Sequence, residues 1–179
     1  MKIAILLADG FEEIEALTPV DMLRRAGLCI DLIGIEKKEI IGAHGIKVYA
    51  DINSTEADAT LYDAVILPGG MPGTLNLDKS DFTNEILKSV ASKNGRIAAI
   101  CAAPLILGRR GLLTGKNATC YPGFENELVG AVISEQSVVT DGIITTAKGM
   151  GVALEFAKEL VKLFCGEETK NKLSKAIME

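Results

Sequence analysis

The feature that most constrains this chain is its rhythm: short, almost unbroken apolar runs alternate with amphipathic stretches. Residues 2–8, Cys29–Ile35, Asp63–Leu67 and Arg96–Ile100 each read as a strand buried on both faces. Between the first two runs, Ile14, Leu17, Val20, Leu23 and Ala26 recur near the helical period, and Gly27 closes the pattern. Pro19 falls inside that helix and is expected to bend it. A second helix carries Phe82, Ile86, Leu87 and Val90 on one face and ends at Asn94-Gly95. Residues 102–110 read as a third helix, and a fourth places Ala153, Ala157, Leu160, Val161 and Phe164 on one face. A polar helix is expected over 167–178, short strands or a hairpin around Ala43-His44-Gly45, and two further β-type runs over 131–134 and 138–146. Strands of this kind alternating with helices predict an α/β three-layer sandwich on a mostly parallel sheet.

The 179 residues fit one domain, 1–179, with no linker, repeat or low-complexity segment. Apolar residues make up 48%, enough for a sizeable core. The net charge of −5, without a basic run and with 4% aromatics, argues against nucleic-acid binding and against a polybasic membrane-surface protein. The longest apolar-and-small run, from Ile97 to Gly108, is too short to span a bilayer and contains Pro104. The N-terminal apolar stretch lacks a cleavage site and meets Asp9-Gly10-Phe11-Glu12-Glu13, so a buried strand rather than an export signal is expected, and a cytoplasmic location with reduced thiols.

Four cysteines, Cys29, Cys101, Cys120 and Cys165, are widely spaced and form no C-x-x-C pair. With one histidine, His44, a conventional zinc site is not expected, and no metal or cofactor is called for. Cys29 and Cys165 read as small buried hydrophobes.

In parallel α/β sheets, sites lie outside the carboxyl ends of the strands. Three such ends carry unusual residues: Asp9-Gly10, Pro68-Gly69-Gly70 and Cys101. Cys101 stands where strand passes to helix, as a nucleophile on a sharp elbow does, and a helix N-terminus would favour its thiolate; a buried structural cysteine explains the pattern about as well. Pro68-Gly69-Gly70 lets backbone N–H groups approach an anion, although a plain tight turn has the same composition; it is neither a Walker motif nor G-x-G-x-x-G. Glu12 and Glu13 are explained by default as first-turn carboxylates complementing the helix dipole. Glu15, three residues after Glu12, can face inward, where a raised pKa would let it donate to a thiolate or shuttle a proton, although from spacing alone the helix-dipole reading is favoured. His44 reads as a surface turn residue, and Cys120 as at most a remote resolving thiol.

Several segments together resemble the ThiJ/PfpI superfamily, in the Parkinson-disease-protein deglycase-like branch. They are Gly10-Phe11-Glu12-Glu13-Ile14-Glu15, the run from Pro19 to Gly27, Leu67-Pro68-Gly69-Gly70, the run from Ala98 to Pro104, Thr140-Asp141, and Gly149-Met150-Gly151 with Glu155-Phe156-Ala157. The combination E-E-x-E, L-P-G-G and A-x-C-x-x-P in this order carries the likeness over nearly the whole chain. It implies a flavodoxin-like fold, a homodimer, Cys101 as reactive nucleophile, Glu15 as a protonated acid on its sulfur, and Gly70 and Ala102 as amide donors of an anion or oxyanion site. Two departures stand out. Ala102 occupies the position where peptidase-type relatives carry a histidine, and Tyr121, before Pro122, occupies the position of a histidine in relatives nearer the human deglycase. A hydrolytic Cys-His-Glu triad is therefore not expected; Tyr121 can orient a ligand but is a poor base near neutral pH. The resemblance implies a cofactor-independent enzyme acting on small reactive carbonyls such as methylglyoxal or glycated adducts. The rival is a redox-sensing, chaperone-like stress protein whose cysteine becomes sulfinate without turnover. An intracellular cysteine peptidase is disfavoured by Ala102, and nothing in these residues supports thiamine-precursor metabolism.

Overall fold

The structure, a computed structural model, describes residues 1–178. In chain order the elements are β1 (Lys2–Leu7), α1 (Glu13–Arg25), β2 (Cys29–Gly34), β3 (Glu39–Ile41), β4 (Lys47–Tyr49), β5 (Ile52–Asn53), β6 (Ala64–Leu67), α2 (Gly73–Lys79), α3 (Asp81–Ser92), β7 (Arg96–Ile100), α4 (Pro104–Arg109), β8 (Asn117–Ala118), β9 (Val132–Ile133), β10 (Val138–Asp141), β11 (Ile144–Ala147), α5 (Ala153–Cys165) and α6 (Glu167–Ala176). Seven strands form one sheet in the order β10-β11-β7-β6-β1-β2-β5, and every pairing in it is parallel except the β10–β11 hairpin.

Alternation along the central strands sorts side chains to two cores. In β1, Ile3, Ile5 and Leu7 pack under α1 and α5, whereas Ala4 and Leu6 pack under α2, α3 and α4. Because both faces are covered, β1 and β6 carry no polar side chain beyond Lys2, the reason they appear as unbroken apolar runs. Each fully buried Leu or Ile contributes roughly 1.5–3 kcal/mol, so these strands are the rigid base on which their loops stand.

Helix α1 contains Pro19, as the sequence places it. Several local expectations are corrected. α4 begins at Pro104 rather than at 102, which leaves Cys101 to Ala103 in a turn; proline fits this first helical position because its missing N–H has no intrahelical partner to lose. The run over 138–146 is a hairpin folded at Gly142, whose φ of +62° suits a tight turn. Cys29, expected to be buried, is exposed, and Cys165 is half-buried. Among the described residues, no helix is long and apolar enough to cross a membrane.

Candidate active site

The chain leaves β1 toward β2 and β5 on one side and returns through β6, β7 and β11 on the other, so the strand order reverses between β1 and β6. Loops after β1, β6, β7 and β11 meet above this point. The Glu12 N–H donates to Gly69 O at 2.9 Å, which stitches the first two loops together.

Cys101 follows β7 directly and has φ of +65°, a left-handed conformation that costs a non-glycine residue about 1–2 kcal/mol. Two main-chain bonds hold it there: its own N–H donates to Ala147 O at 2.9 Å, and Tyr121 N–H donates to its carbonyl at 2.8 Å. The turn lifts the side chain off the sheet and leaves it partly exposed.

Glu15 occupies the first turn of α1 on the stripe that also carries Ala16, Pro19 and Leu23, and is 1% exposed. Its Oε2 accepts from Gly69 N–H at 2.9 Å; the Met150 N–H also donates to the carboxyl, and the Cys101 sulfur is hydrogen-bonded to it. Burial pushes Glu15 up to about 7, Glu12 adds to the rise, and the bonds from Cys101, Gly69 and Met150 oppose it. Glu15 thus faces inward, the alternative that spacing alone places second to the helix-dipole reading. The sulfur is bracketed from the other side by the N–H groups of Ala102 and Gly70.

The expectation of a thiolate favoured by a helix N-terminus is not met. Helix α4 starts three residues later and has six residues. Burial and the neighbouring Glu15 charge push Cys101 up to about 12, against the pull of the Ala102 and Gly70 amides. Acid and thiol thus behave as one coupled pair that gives up a first proton near 7 and holds the second.

Glycines make this proximity possible. A Cβ on Gly69 would lie 2.6 Å from both Cys101 Cβ and Glu15 Oε2. Gly70, at φ +89°, presses its Cα against the Glu12 N–H, where a Cβ would come within 2.3 Å. Gly149 lies over the site: a Cβ there would stand 3.2 Å from the Tyr121 ring and 3.9 Å from Cys101 Sγ. Gly149 and the Met150 amide were not singled out as site residues in the sequence; the Gly-Met-Gly run after a β-type segment was the available signal.

Tyr121, half-exposed, stands at the rim. Cys120 is buried, its thiol pushed up to about 11 by burial, and its side chain packs in the core beneath α3 and α4, whereas Cys101 packs toward the opposite core. A resolving role for Cys120 finds no support. The default reading of Glu13 is also corrected. Its buried carboxylate accepts from His44 N–H at 2.9 Å, pairs with His44 Nδ1 at 2.9 Å and reaches Ile46 N–H at 3.4 Å, so it staples the 42–46 loop to α1. His44 is thereby engaged with Glu13, and with Glu12 at 3.7 Å. Glu12, Glu13 and His44 place three donor atoms within 4.8 Å of one another, but both Glu13 oxygens already serve the loop.

Comparison with known proteins gives the chain its relatives. The chain is 33% identical to protein dj-1beta of Drosophila melanogaster over 97% of its own length and 95% of that protein's. It is 32% identical to a deglycase of Pyrococcus abyssi over 91% of its length and 99% of the relative's. The structure of oxidized DJ-1 from Toxoplasma gondii superposes with a TM-score of 0.91 at 31% identity, covering 99% of this chain and 97% of that one. The family model described as DJ-1/PfpI matches residues 1–163, and the chain belongs to the DJ-1/PfpI family.

Proposed function

We propose that this chain is a cofactor-independent thiol enzyme of glyoxalase or deglycase type, acting on small reactive carbonyls such as methylglyoxal or its glycated adducts. The observation that carries the reading is the convergence on one sulfur of a carboxyl titrating near 7 and two backbone N–H donors. An acid–base group with a pKa close to the working pH is the most effective proton carrier.

On methylglyoxal, Cys101 Sγ adds to the aldehyde carbon while Glu15 takes the thiol proton. The C=O electron pair moves to oxygen, where the Gly70 and Ala102 amides stabilise the charge. Glu15 returns the proton to give the hemithioacetal. It then carries the proton of that carbon to the neighbouring carbonyl carbon through an enediol, leaving a 2-hydroxy thioester that water hydrolyses to lactate and free thiol. Tyr121 orients the ligand from the rim. The deglycase name of the Pyrococcus abyssi relative is consistent with this chemistry. A homodimer located in the cytoplasm completes the proposal; the exposed apolar residues Ile14 and Leu154 on α1 and α5 suit an interface.

Lactate formed from methylglyoxal by the wild type and lost in Cys101→Ser is the expected result; equal rates for the two would overturn the reading. The amides around the sulfur also suit a sulfinate, and the Toxoplasma gondii relative is described as oxidized. Sulfinate formed at mild peroxide, with no lactate under any condition, would instead assign redox sensing. Peptide hydrolysis is the least favoured reading, because Ala102 follows the sulfur and His44 is held by Glu13.

A further inference from the structure

Beside the sulfur lies an open depression of about 280 Å³ that the chemistry above does not use. Tyr121, Pro122, Gly149, Met150 and Val152 form its walls, and their surface there is almost wholly carbon. Gly149 separates it from the sulfur: a single carbon atom placed on Gly149 would lie 3.9 Å from Cys101 Sγ. Gly149, which carries no side chain, is thus shared by the wall of the depression and the surroundings of the sulfur. One cation, Lys148, contributes to the wall, but its Nζ donates to Glu135 O at 2.8 Å and lies 3.7 Å from the Glu135 carboxylate. Its stem faces the depression while its charge is engaged with Glu135. The ionisable group against the sulfur, Glu15, is an acid, and Glu12 in turn acts on Glu15. Such a surface rewards an uncharged apolar group and penalises an anion, which would lose its hydration and gain no cation in return.

Resting on the proposed carbonyl chemistry, we infer that this depression is the substrate's side-chain pocket, and that Tyr121 and Met150 select 2-oxoaldehydes with an uncharged apolar substituent over anionic ones. Phenylglyoxal is then a better substrate than methylglyoxal, and 4-carboxyphenylglyoxal, which carries the same reacting group with an anionic substituent, the poorest.

Two measurements test the inference separately from the enzyme reading. The first compares kcat/KM for phenylglyoxal, methylglyoxal and 4-carboxyphenylglyoxal in the wild type and in Met150→Lys. The expected wild-type order is the one given. Met150→Lys should lower the ratio of phenylglyoxal to 4-carboxyphenylglyoxal at least about tenfold, mainly through KM. The second follows alkylation of Cys101 by 2-iodo-N-phenylacetamide, iodoacetamide and iodoacetate, read by peptide mass spectrometry and normalised to N-acetylcysteine. Each reagent forms the same S–CH2 bond with loss of iodide and the thiol proton, so the substituent alone differs. Normalised iodoacetate rates about tenfold below iodoacetamide, relieved in Met150→Lys, support the pocket. Lactate formation with no substrate preference and equal normalised alkylation would overturn the pocket and leave the enzyme reading standing. Selective alkylation without any carbonyl turnover would uphold the pocket and overturn the enzyme reading. A Cys101 inert to all three reagents would overturn both.

Discussion

At the scale of single residues, the site depends on one shared proton. In the wild type, Cys101 alkylation should rise with pH through an inflection near 7, where the pair releases its first proton. Glu15→Gln removes the acceptor; the inflection should vanish, alkylation should move to higher pH, and turnover should fall by about 10²–10⁴. An unchanged pH profile would dissociate the two groups. Gly69→Ala tests the close approach. Its Cβ has 2.6 Å to Cys101 Cβ and the Glu15 carboxyl, so the variant should lose about 1–3 kcal/mol by denaturant titration and disrupt the pair. Gly149→Ala is milder, since the backbone there is extended and the tyrosine ring can shift; it should keep the fold and slow Cys101 alkylation. Cys29, being exposed, should alkylate readily, whereas Cys120 should not.

At the scale of elements, the strands were legible because a sheet covered on both faces demands unbroken apolar runs, whereas Glu15 was legible through the family resemblance: the helical period led with Ile14, which is exposed, and the buried stripe runs through Glu15, Ala16 and Pro19 instead. What was not legible depended on contacts between distant loops. Nothing near Glu13 in sequence announces that His44 and Ile46, more than thirty residues on, supply its donors. The start of α4 was misplaced because Ala102 and Ala103 are good helix formers, while the N–H bonds to the sulfur and the pairing of Cys101 with Ala147 hold them in a turn. The Glu13–His44 staple yields its own expectation. Glu13→Ala strands the 44 and 46 amides, so hydrogen exchange at those amides should accelerate. Partnership with Glu13, then the Glu12 and Glu13 charges, raise the His44 pKa. Its contribution to loop order is thus present below the ordinary histidine range and lost as pH climbs through the raised value; loop exchange should accelerate in that direction.

For the whole molecule, Glu15 couples stability to pH. Its folded pKa of about 7 exceeds the ordinary 4.5, so the fold prefers the protonated acid. That preference is fully present below about pH 4.5 and disappears as pH rises through 7. Melting temperatures measured from pH 5 to pH 8 should therefore decline more steeply for the wild type than for Glu15→Gln; parallel curves would show that the carboxyl is not held as described. Light scattering at twice the protomer mass is expected from the proposed homodimer, and a monomer at micromolar concentration would remove that part of the proposal.

Bare backbone at Gly69 closes one flank of the reactive atom so tightly that any side chain there would collide with Cys101 and Glu15. Altered preferences are then expected from the opposite bank, where Tyr121, Pro122, Met150 and Val152 line the depression and lie outside the sheet. A mutant library restricted to those four positions should capture most of the selectivity this scaffold can learn.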